Sequence, residues 1–584
     1  MILLLKLALF LLSLAGWGVF IARRFSIRME LTPFIVLSGM GVVLFGAGLL
    51  NIYRPVEWCL WLGGLALLVY CALRQKDAFA PWWSLRSAVF GAGTLWMLWL
   101  MRGGVLVGHD NMSHWGIMVK TMVRFDRLPN TQNQAVEFVS YPPGGSGLIK
   151  YFCDFVGTSD GMMMYAQGLL LLAGVFTLFA LCPKKHWSSL ALAAVSGVFL
   201  LVGNLTPADL RVDTLLAVQA VGALAIIAYY GPEQPQKAAW LSMSGLVLLA
   251  LIKNSGLFFV AMDLVVLTWF LLRQKKVRRQ NWLFAAAAWA APLASFWLWT
   301  RHVAMVFPEG SSSKHAVSLS GYEKIFGGKT PEEMQGFHDL FFSHLVNFSK
   351  AENRCLWLLL VLMLGAVLWI GFAKALPGRG VLLLGAALFG GELLYLVCLW
   401  ATYVFSMTAN EMLCLASFSR YSLTGILFFA GATVIALLWV LAQKVTKGRT
   451  IAGVVFALAM VGLLLMDTPQ QAAALVSRAP YRQMDTQGEL LGLKNQYGLK
   501  EGRRYLFYTR GDPEVDTWSM RYVARYVLNT DTVDFSQFPD QEFGYEDLYG
   551  HYDYLVLYAP DDASRQFLQQ SNLDPDSPFV ELIQ

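Results

Sequence analysis

Apolar runs of about 20 residues recur along most of this 584-residue chain, and they constrain the fold more than any other feature. A helix needs about 20 apolar residues to cross the hydrocarbon core of a bilayer. Hydrophobic residues make up 56% of the chain, charged residues make up 14%, and the mean hydropathy is +0.51, which together exclude a water-soluble protein. The sequence therefore predicts an all-α polytopic membrane protein.

About fourteen transmembrane helices are predicted, because each apolar run ends at basic or turn-forming residues. They lie near residues 2–21, 32–51, 56–73, 84–107, 162–181, 188–204, 213–230, 240–252, 256–272, 282–306, 355–373, 381–400, 421–442 and 450–466. The eighth and ninth runs are short and flank Lys253, so a broken pair of half-depth helices is an alternative there.

Basic residues fall in alternate connections, which indicates that these connections are cytoplasmic. They are Arg23, Arg24, Arg28, Arg74, Lys76, Lys184, Lys185, Lys237, Arg273, Lys275, Lys276, Arg278, Arg279, Lys374, Arg379, Lys444, Lys447 and Arg449. The other connections, including the long loops 108–161 and 307–354, and both termini are then predicted to face outward.

Residues 480–584 differ from the rest of the chain in charge and hydropathy. They contain 18 Asp and Glu residues against 9 Lys and Arg residues, a net charge of −9, and no apolar run long enough to span. Strand-like runs at 505–508 and 554–558 flank a helix-like segment at 518–528, which predicts a small extracytoplasmic α/β domain. Residues 84–479 are then the membrane core, and residues 1–83 are accessory helices.

Asp110 follows directly on a predicted span, where a carboxylate costs a few kcal/mol unless a partner or water compensates it. Such a carboxylate can act as a general base towards an acceptor hydroxyl. Capping of the next helix is the alternative interpretation of this residue. That helix, over residues 111–126, is predicted to lie on the outer leaflet. His109 and His114 flank the acid, and a divalent cation bound by these three residues is another hypothesis.

Further polar residues lie near the outer ends of the predicted spans. Tyr141 opens a Tyr-Pro-Pro-Gly turn whose glycine lets backbone amides approach a ligand closely. Lys253 interrupts an apolar stretch, where a cation could hold a lipid phosphate. The remaining charged residues are Arg211, Asp213, Arg301 and Arg420, and for the arginines snorkelling to the interface is the alternative interpretation.

In combination these motifs resemble the GT-C superfamily of integral-membrane glycosyltransferases. The shared pattern is an acid in the first large outer loop, a Tyr-Pro-Pro-Gly turn, an Arg-x-Asp segment, a lone lysine in a broken apolar stretch and a late Arg-Tyr pair. In particular, the chain resembles bacterial polyprenyl-phosphate-sugar-dependent enzymes related to protein mannosyltransferases and the aminoarabinose transferase of lipid A. The resemblance covers most of residues 84–442.

The resemblance implies transfer of a sugar, with inversion, from a polyprenyl-phosphate donor to an extracytoplasmic glycan, lipid or protein. It implies a multi-pass protein of the plasma or inner membrane, with no nucleic-acid partner. Asp110 would be the catalytic base, and the donor phosphate would be bound by Lys253, Arg420 and Arg211. The predicted substrate-binding residues are His109, His114, Tyr141 and Asp213. Many members carry a second acid beside the first, and Asn111 in its place favours a metal-independent mechanism.

Two alternatives differ in what happens to the lipid-linked saccharide. A transporter or flippase would move it across the membrane unchanged, although the sequence lacks the two similar halves that are frequent in transporters. A ligase-like enzyme would transfer a whole glycan from a polyprenyl diphosphate. The flippase alternative rests on the number of spans and on the broken apolar stretch at Lys253, and the ligase-like alternative differs from the transferase in its donor rather than in its geometry.

Overall fold

The computed structural model describes most of the chain. It leaves out residues 1, 75, 132–134, 184–185, 275–277, 308–316, 467–472, 479–484, 510–515, 537–547, 549, 559 and 583–584. Four of the basic residues used for the predicted orientation, Lys184, Lys185, Lys275 and Lys276, lie outside the described residues.

The membrane body is built from helices that coincide with all fourteen predicted spans. In chain order, the helices of this part are α1 Ile2–Arg24, α2 Thr32–Leu49, α3 Tyr53–Arg74, α4 Leu85–Met101, α5 Gly116–Phe125, α6 Gly144–Phe155, α7 Asp160–Phe176, α8 Trp187–Val202, α9 Asp213–Tyr230, α10 Pro235–Ala250, α11 Gly256–Leu272, α12 Arg279–Val306, α13 Leu319–Gly327, α14 Pro331–Leu345, α15 Ala351–Phe372, α16 Gly378–Ser406, α17 Ala409–Leu413, α18 Phe418–Gln443 and α19 Lys447–Leu464.

The predicted fold class, a polytopic all-α membrane protein, is confirmed. Ten of the described helices are long and apolar enough to cross a bilayer, judged by length and composition alone. The other four that match predicted spans, α4, α8, α10 and α11, have 16 or 17 residues. Helices α5, α6, α13, α14 and α17 lie in the connections.

Helices α10 and α11 form a hairpin, with 16 and 17 residues on the two sides of its turn. The α10–α11 turn lies at the start of α9, because Lys253 Nζ is 3.0 Å from Asp213 Oδ1. Gly231, just after α9, packs against Phe270 near the end of α11. Helix α11 therefore runs parallel to α9. The α10–α11 turn lies at one end of the bundle.

The C-terminal segment folds as a small α/β unit, with its strands and central helix close to the predicted positions. The sheet has the order β2-β1-β3-β4, in which β1 is parallel to β2 and β3 and β4 is antiparallel to β3. The elements are α20 Asp485–Tyr497, β1 Tyr505–Tyr508, α21 Thr517–Leu528, β2 Val533–Ser536, β3 Tyr554–Leu557, α22 Asp562–Gln570 and β4 Phe579–Glu581.

The α/β unit is docked on the loop that follows α4. Lys120 Nζ donates a hydrogen bond of 3.1 Å to the backbone oxygen of Tyr526 and lies 3.6 Å from the centre of its ring. The Tyr526 hydroxyl donates to Asp160 over 2.5 Å. Arg124 donates to the backbone oxygen of Gly502 over 3.1 Å. The C-terminal unit therefore covers this loop directly.

The docking explains why the helix after Asp110 does not lie on the outer leaflet as predicted. It consists of one π-helical turn, Asn111–Trp115, followed by α5. Its apolar side chains Met112, Met118 and Met122 are fully buried in protein. The amphipathic pattern is real, but the partner of the apolar face is α6 and neighbouring protein rather than lipid.

Candidate active site

Four segments that are far apart in sequence meet at one end of the helix bundle. Asp110 precedes the π-helical turn, Asp213 is the first residue of α9, Lys253 lies in the α10–α11 turn, and Arg420 lies in the first turn of α18. Each segment is a helix end or a connection, where a polar side chain can leave the apolar bundle. These four predicted site residues are therefore brought together.

Asp213 binds both cations. It is 3% exposed, its Oδ1 accepts a 3.0 Å hydrogen bond from Lys253 Nζ, and its Oδ2 lies 3.3 Å from Arg420 Nε. Lys253 is itself only 7% exposed. A buried carboxylate is tolerated when it is paired and hydrogen-bonded, and this one holds two positive charges side by side.

Asp110 forms an ion pair with Arg420, so the capping interpretation of this acid is wrong. Arg420 Nη1 donates to Asp110 Oδ2 over 2.5 Å, and the Asp110 side chain makes no capping hydrogen bond to the next helix. Burial alone would raise the pKa of Asp110, but Arg420, with smaller contributions from Arg211 and Lys253, holds that pKa below its ordinary value. Asp110 is therefore a carboxylate at neutral pH, with 36% of its side chain exposed.

Arg211 lies at the rim of this cluster and is paired with Asp209. Its Nε and Nη2 lie 2.9 Å and 2.6 Å from Asp209 Oδ2, and 34% of the side chain is exposed. It is close enough to Asp110 to help lower the pKa of that carboxyl. The cluster thus contains three carboxylates and three cations and is formally neutral.

Two tyrosine rings flank Lys253. The ammonium lies 5.6 Å from the ring centre of Tyr141 and 4.9 Å from that of Tyr421. Such rings attract a cation by about 0.5–2 kcal/mol without neutralising it. Tyr421 was not among the predicted site residues, although its position beside Arg420 is a signal that sequence reasoning could have used.

The Tyr-Pro-Pro-Gly turn is held against the α10–α11 turn by its glycine. The backbone N–H of Gly144 donates to the Leu251 carbonyl oxygen over 2.8 Å. A Cβ at Gly144 would come within 2.8 Å of both Leu251 Cβ and that same oxygen. Only glycine permits this approach, which places Tyr141 beside Lys253.

The two histidines lie in different surroundings. His114 is fully buried, with its ring 4.4 Å from that of Trp115 and 5.3 Å from that of Tyr141. His109 Nδ1 is 4.0 Å from Asp110 Oδ1, and its ring stacks on Trp518 of the C-terminal unit. Because their rings face different neighbours, His109, Asp110 and His114 do not form a three-ligand metal group within the described part of the chain.

A group of acids close enough to share a cation lies elsewhere, where the described residues bring Glu57, Asp126 and Asp154 together. Lys150 Nζ donates to all three, over 2.8, 2.7 and 2.6 Å, and its side chain is fully buried. The ammonium group lies where an ion would bind, so these carboxylates fit a lysine rather than a metal. Glu57 and Lys150, both in apolar surroundings, were the signals that sequence reasoning missed.

These features define the class of the protein as a polytopic α-helical membrane protein with a charged site at one end of its bundle. The crystal structure of ArnT from Cupriavidus metallidurans bound to undecaprenyl phosphate is similar at 17% identity and a TM-score of 0.37, over 78% of this chain and 86% of that one. The crystal structure of the Archaeoglobus fulgidus oligosaccharyltransferase in complex with Zn and sulfate is similar at 16% identity and a TM-score of 0.39, over 80% of this chain and 67% of that one.

Both similarities concern the fold alone. At these TM-scores they carry no argument about the reaction or its substrates. No protein-family model matches the chain, and no curated protein matches it.

Proposed function

We propose that the chain is a membrane glycosyltransferase that moves a sugar from a polyprenyl-phosphate donor to an extracytoplasmic acceptor. The observation that supports this most directly is the pairing of Asp110 with Arg420, whose guanidinium shares the buried Asp213 with Lys253. A base and two cations thus lie side by side at a membrane edge. Glycosyl transfer needs a base at the acceptor and positive charge at the leaving phosphate.

Lys253 and Arg420 bind the donor phosphate in this proposal, with Arg211 assisting at the rim. Arg420 offers a planar fork of N–H donors, and Lys253 offers a point charge, the two usual ways of binding a phosphate. The charge interactions are strong because the groups are largely buried and screened little by water. The polyprenyl chain would lie along the apolar helices, so that only the phosphate and sugar reach the cluster.

The reaction follows as a single displacement with inversion. The acceptor oxygen attacks the anomeric carbon, and the bond between that carbon and the phosphate oxygen breaks. The bonding electron pair leaves with polyprenyl phosphate, and the acceptor proton passes to Asp110. His109, His114, Tyr141 and Asp213 complete the substrate site in this proposal, with Asp213 acting through the two cations that it holds.

Arg420 links the two ends of this displacement through its charge. Before the reaction its guanidinium neutralises Asp110. As the leaving phosphate gains negative charge, Asp110 gains a proton. The neutral carboxyl no longer forms an ion pair with Arg420, so the guanidinium can stabilise the phosphate instead. The negative charge therefore moves from one partner of Arg420 to the other, and the net charge of the cluster and the phosphate together does not change during transfer.

No metal ion is required by this mechanism, since the leaving group is stabilised by Lys253 and Arg420. We place the site and the C-terminal α/β unit, residues 480–584, on the outer side of the plasma or inner membrane. The core would be residues 84–479 and the accessory helices residues 1–83. This placement rests on the alternation of basic connections, and Asp110, Asp213, Lys253 and Arg420 all lie in or beside connections assigned outward.

The test separates a transferase from a flippase of lipid-linked saccharides, which remains the alternative proposal. The protein is reconstituted in liposomes with EDTA, a polyprenyl-phosphate hexose labelled in its sugar, and an envelope extract from the source cells. We expect label in a product that is distinct from the polyprenyl-phosphate donor, with an equal amount of polyprenyl phosphate released. Movement of label across the bilayer while it remains lipid-linked would favour the flippase instead.

A further inference from the structure

Helix α21 of the C-terminal unit presents two aromatic side chains to the residue before the proposed base. Trp518 and Tyr522 lie one helical turn apart. The Trp518 ring stacks on His109 with 4.3 Å between ring centres and 6° between planes, and Tyr522 meets the same imidazole edge-on at 4.7 Å. His109 and Asp110 are consecutive, so their Cα atoms are about 3.8 Å apart.

Trp518 remains 58% exposed despite this stack. An indole that served only to dock the C-terminal unit would be covered, as Tyr526 is at 2% exposure on the same helix. The accessible part of this large aromatic ring lies beside the proposed base, where a ligand can pack against it. The exposed indole and the ring of Tyr522 together form what we call the aromatic platform.

Polar groups surround the aromatic platform. Burial and the nearby carboxylate of Glu137, from the loop that precedes the Tyr-Pro-Pro-Gly turn, raise the pKa of the Tyr522 hydroxyl. Arg521 and Arg525 lie on the same helix, and 43% of the Arg521 side chain is exposed. An apolar ring among such donors and acceptors does not suit a lipid chain, which needs a continuous apolar groove.

We propose that the aromatic platform binds a saccharide acceptor, with Trp518 as the main contact, so that the acceptor of the proposed reaction is a glycan. This inference rests on the proposed function. A pyranose ring has a face of C–H groups that packs on an aromatic ring and a rim of hydroxyls that needs hydrogen-bonding partners. The platform offers both and holds one acceptor hydroxyl close to Asp110.

The experiment measures binding without requiring transfer. Full-length protein in lipid nanodiscs is applied to an array of bacterial surface saccharides, as wild type, Trp518→Ala, Trp518→Phe and Trp187→Ala. Trp187 is 60% exposed, which matches Trp518, and it begins α8 at the opposite end of the bundle. We expect wild type and Trp187→Ala to bind the same saccharides, Trp518→Ala to bind them about tenfold more weakly, and Trp518→Phe to lie within about threefold of wild type.

Saccharide binding unchanged by Trp518→Ala, or no saccharide bound by the wild type, would overturn the inference. The array result is independent of the donor site. Donor cleavage by the wild type together with a negative array would refute the saccharide acceptor and leave the proposed transferase standing. Saccharide binding without donor cleavage would refute the transferase.

Discussion

The variant Asp110→Asn is expected to lose about 10²–10⁴-fold in sugar transfer, the range that a positioned general base contributes. An amide cannot take the acceptor proton, although it keeps the size of the side chain. Arg420 retains Asp213 as an ion-pair partner in this variant, so the fold should survive. The measurement is the initial rate of label transfer from polyprenyl-phosphate hexose by purified protein, with thermal unfolding in detergent as the check on folding.

Asp126→Asn is the matched control for this variant. Asp126 lies in the same loop, is 34% exposed against 36% for Asp110, and likewise accepts a short hydrogen bond from a cation, 2.7 Å from Lys150 Nζ. Its backbone is left-handed, with φ of 51°, which asparagine also tolerates. We expect transfer within a few-fold of wild type. Equal losses of transfer rate in the two variants would mean that Asp110 acts only through local charge. A wild-type transfer rate in Asp110→Asn would mean that Asp110 has no part in the mechanism.

The variant Lys253→Met is expected to lower transfer by about 10²–10³-fold, the usual effect of removing one charge-stabilising donor at a reacting group. The apolar replacement keeps the length of the side chain in its buried site. It also leaves Asp213 with one partner fewer, and breaking a buried ion pair typically costs about 3–5 kcal/mol. Both the transfer rate and the free energy of unfolding should therefore fall.

The double variant Lys253→Met/Asp213→Asn separates these two effects. The asparagine is uncharged, so the buried carboxylate that lost its partner is no longer present. We expect the unfolding free energy to recover most of its loss while transfer stays low. If transfer recovers together with stability, Lys253 only supports the fold and does not bind the donor phosphate.

Sequence predicted the membrane helices well because each depends on its own local run of apolar residues. The same local argument placed Asp110, Asp213, Lys253 and Arg420 at helix ends on one face. It could not pair them, since Asp110 and Arg420 are 310 positions apart and contact only in the folded bundle. The capping hypothesis for Asp110 failed for this reason: a distant guanidinium competes with the nearby backbone for the carboxylate.

Other differences arose where the partner of a side chain could not be read from the chain. The helix after Asp110 has an amphipathic pattern that fits a membrane surface or a protein surface equally well. In the structure its apolar face packs against α6 and neighbouring protein, and the C-terminal unit contacts it through Lys120 and Tyr526. Three acids that resemble a metal site surround Lys150, a residue that lies 93 positions from Glu57. Periodicity predicts which face is apolar, but it does not identify what covers that face.

The central claim is that Lys253 and Arg420 hold the phosphate of a lipid-linked sugar beside Asp110. Mass spectrometry of the lipids that copurify with the protein tests it most directly. The account predicts that wild type carries a polyprenyl lipid with one phosphate, with or without a sugar, and that Lys253→Met/Asp213→Asn retains about tenfold less of it. A wild type that carries no phosphorylated polyprenyl lipid, or equal amounts on both proteins, would contradict the claim.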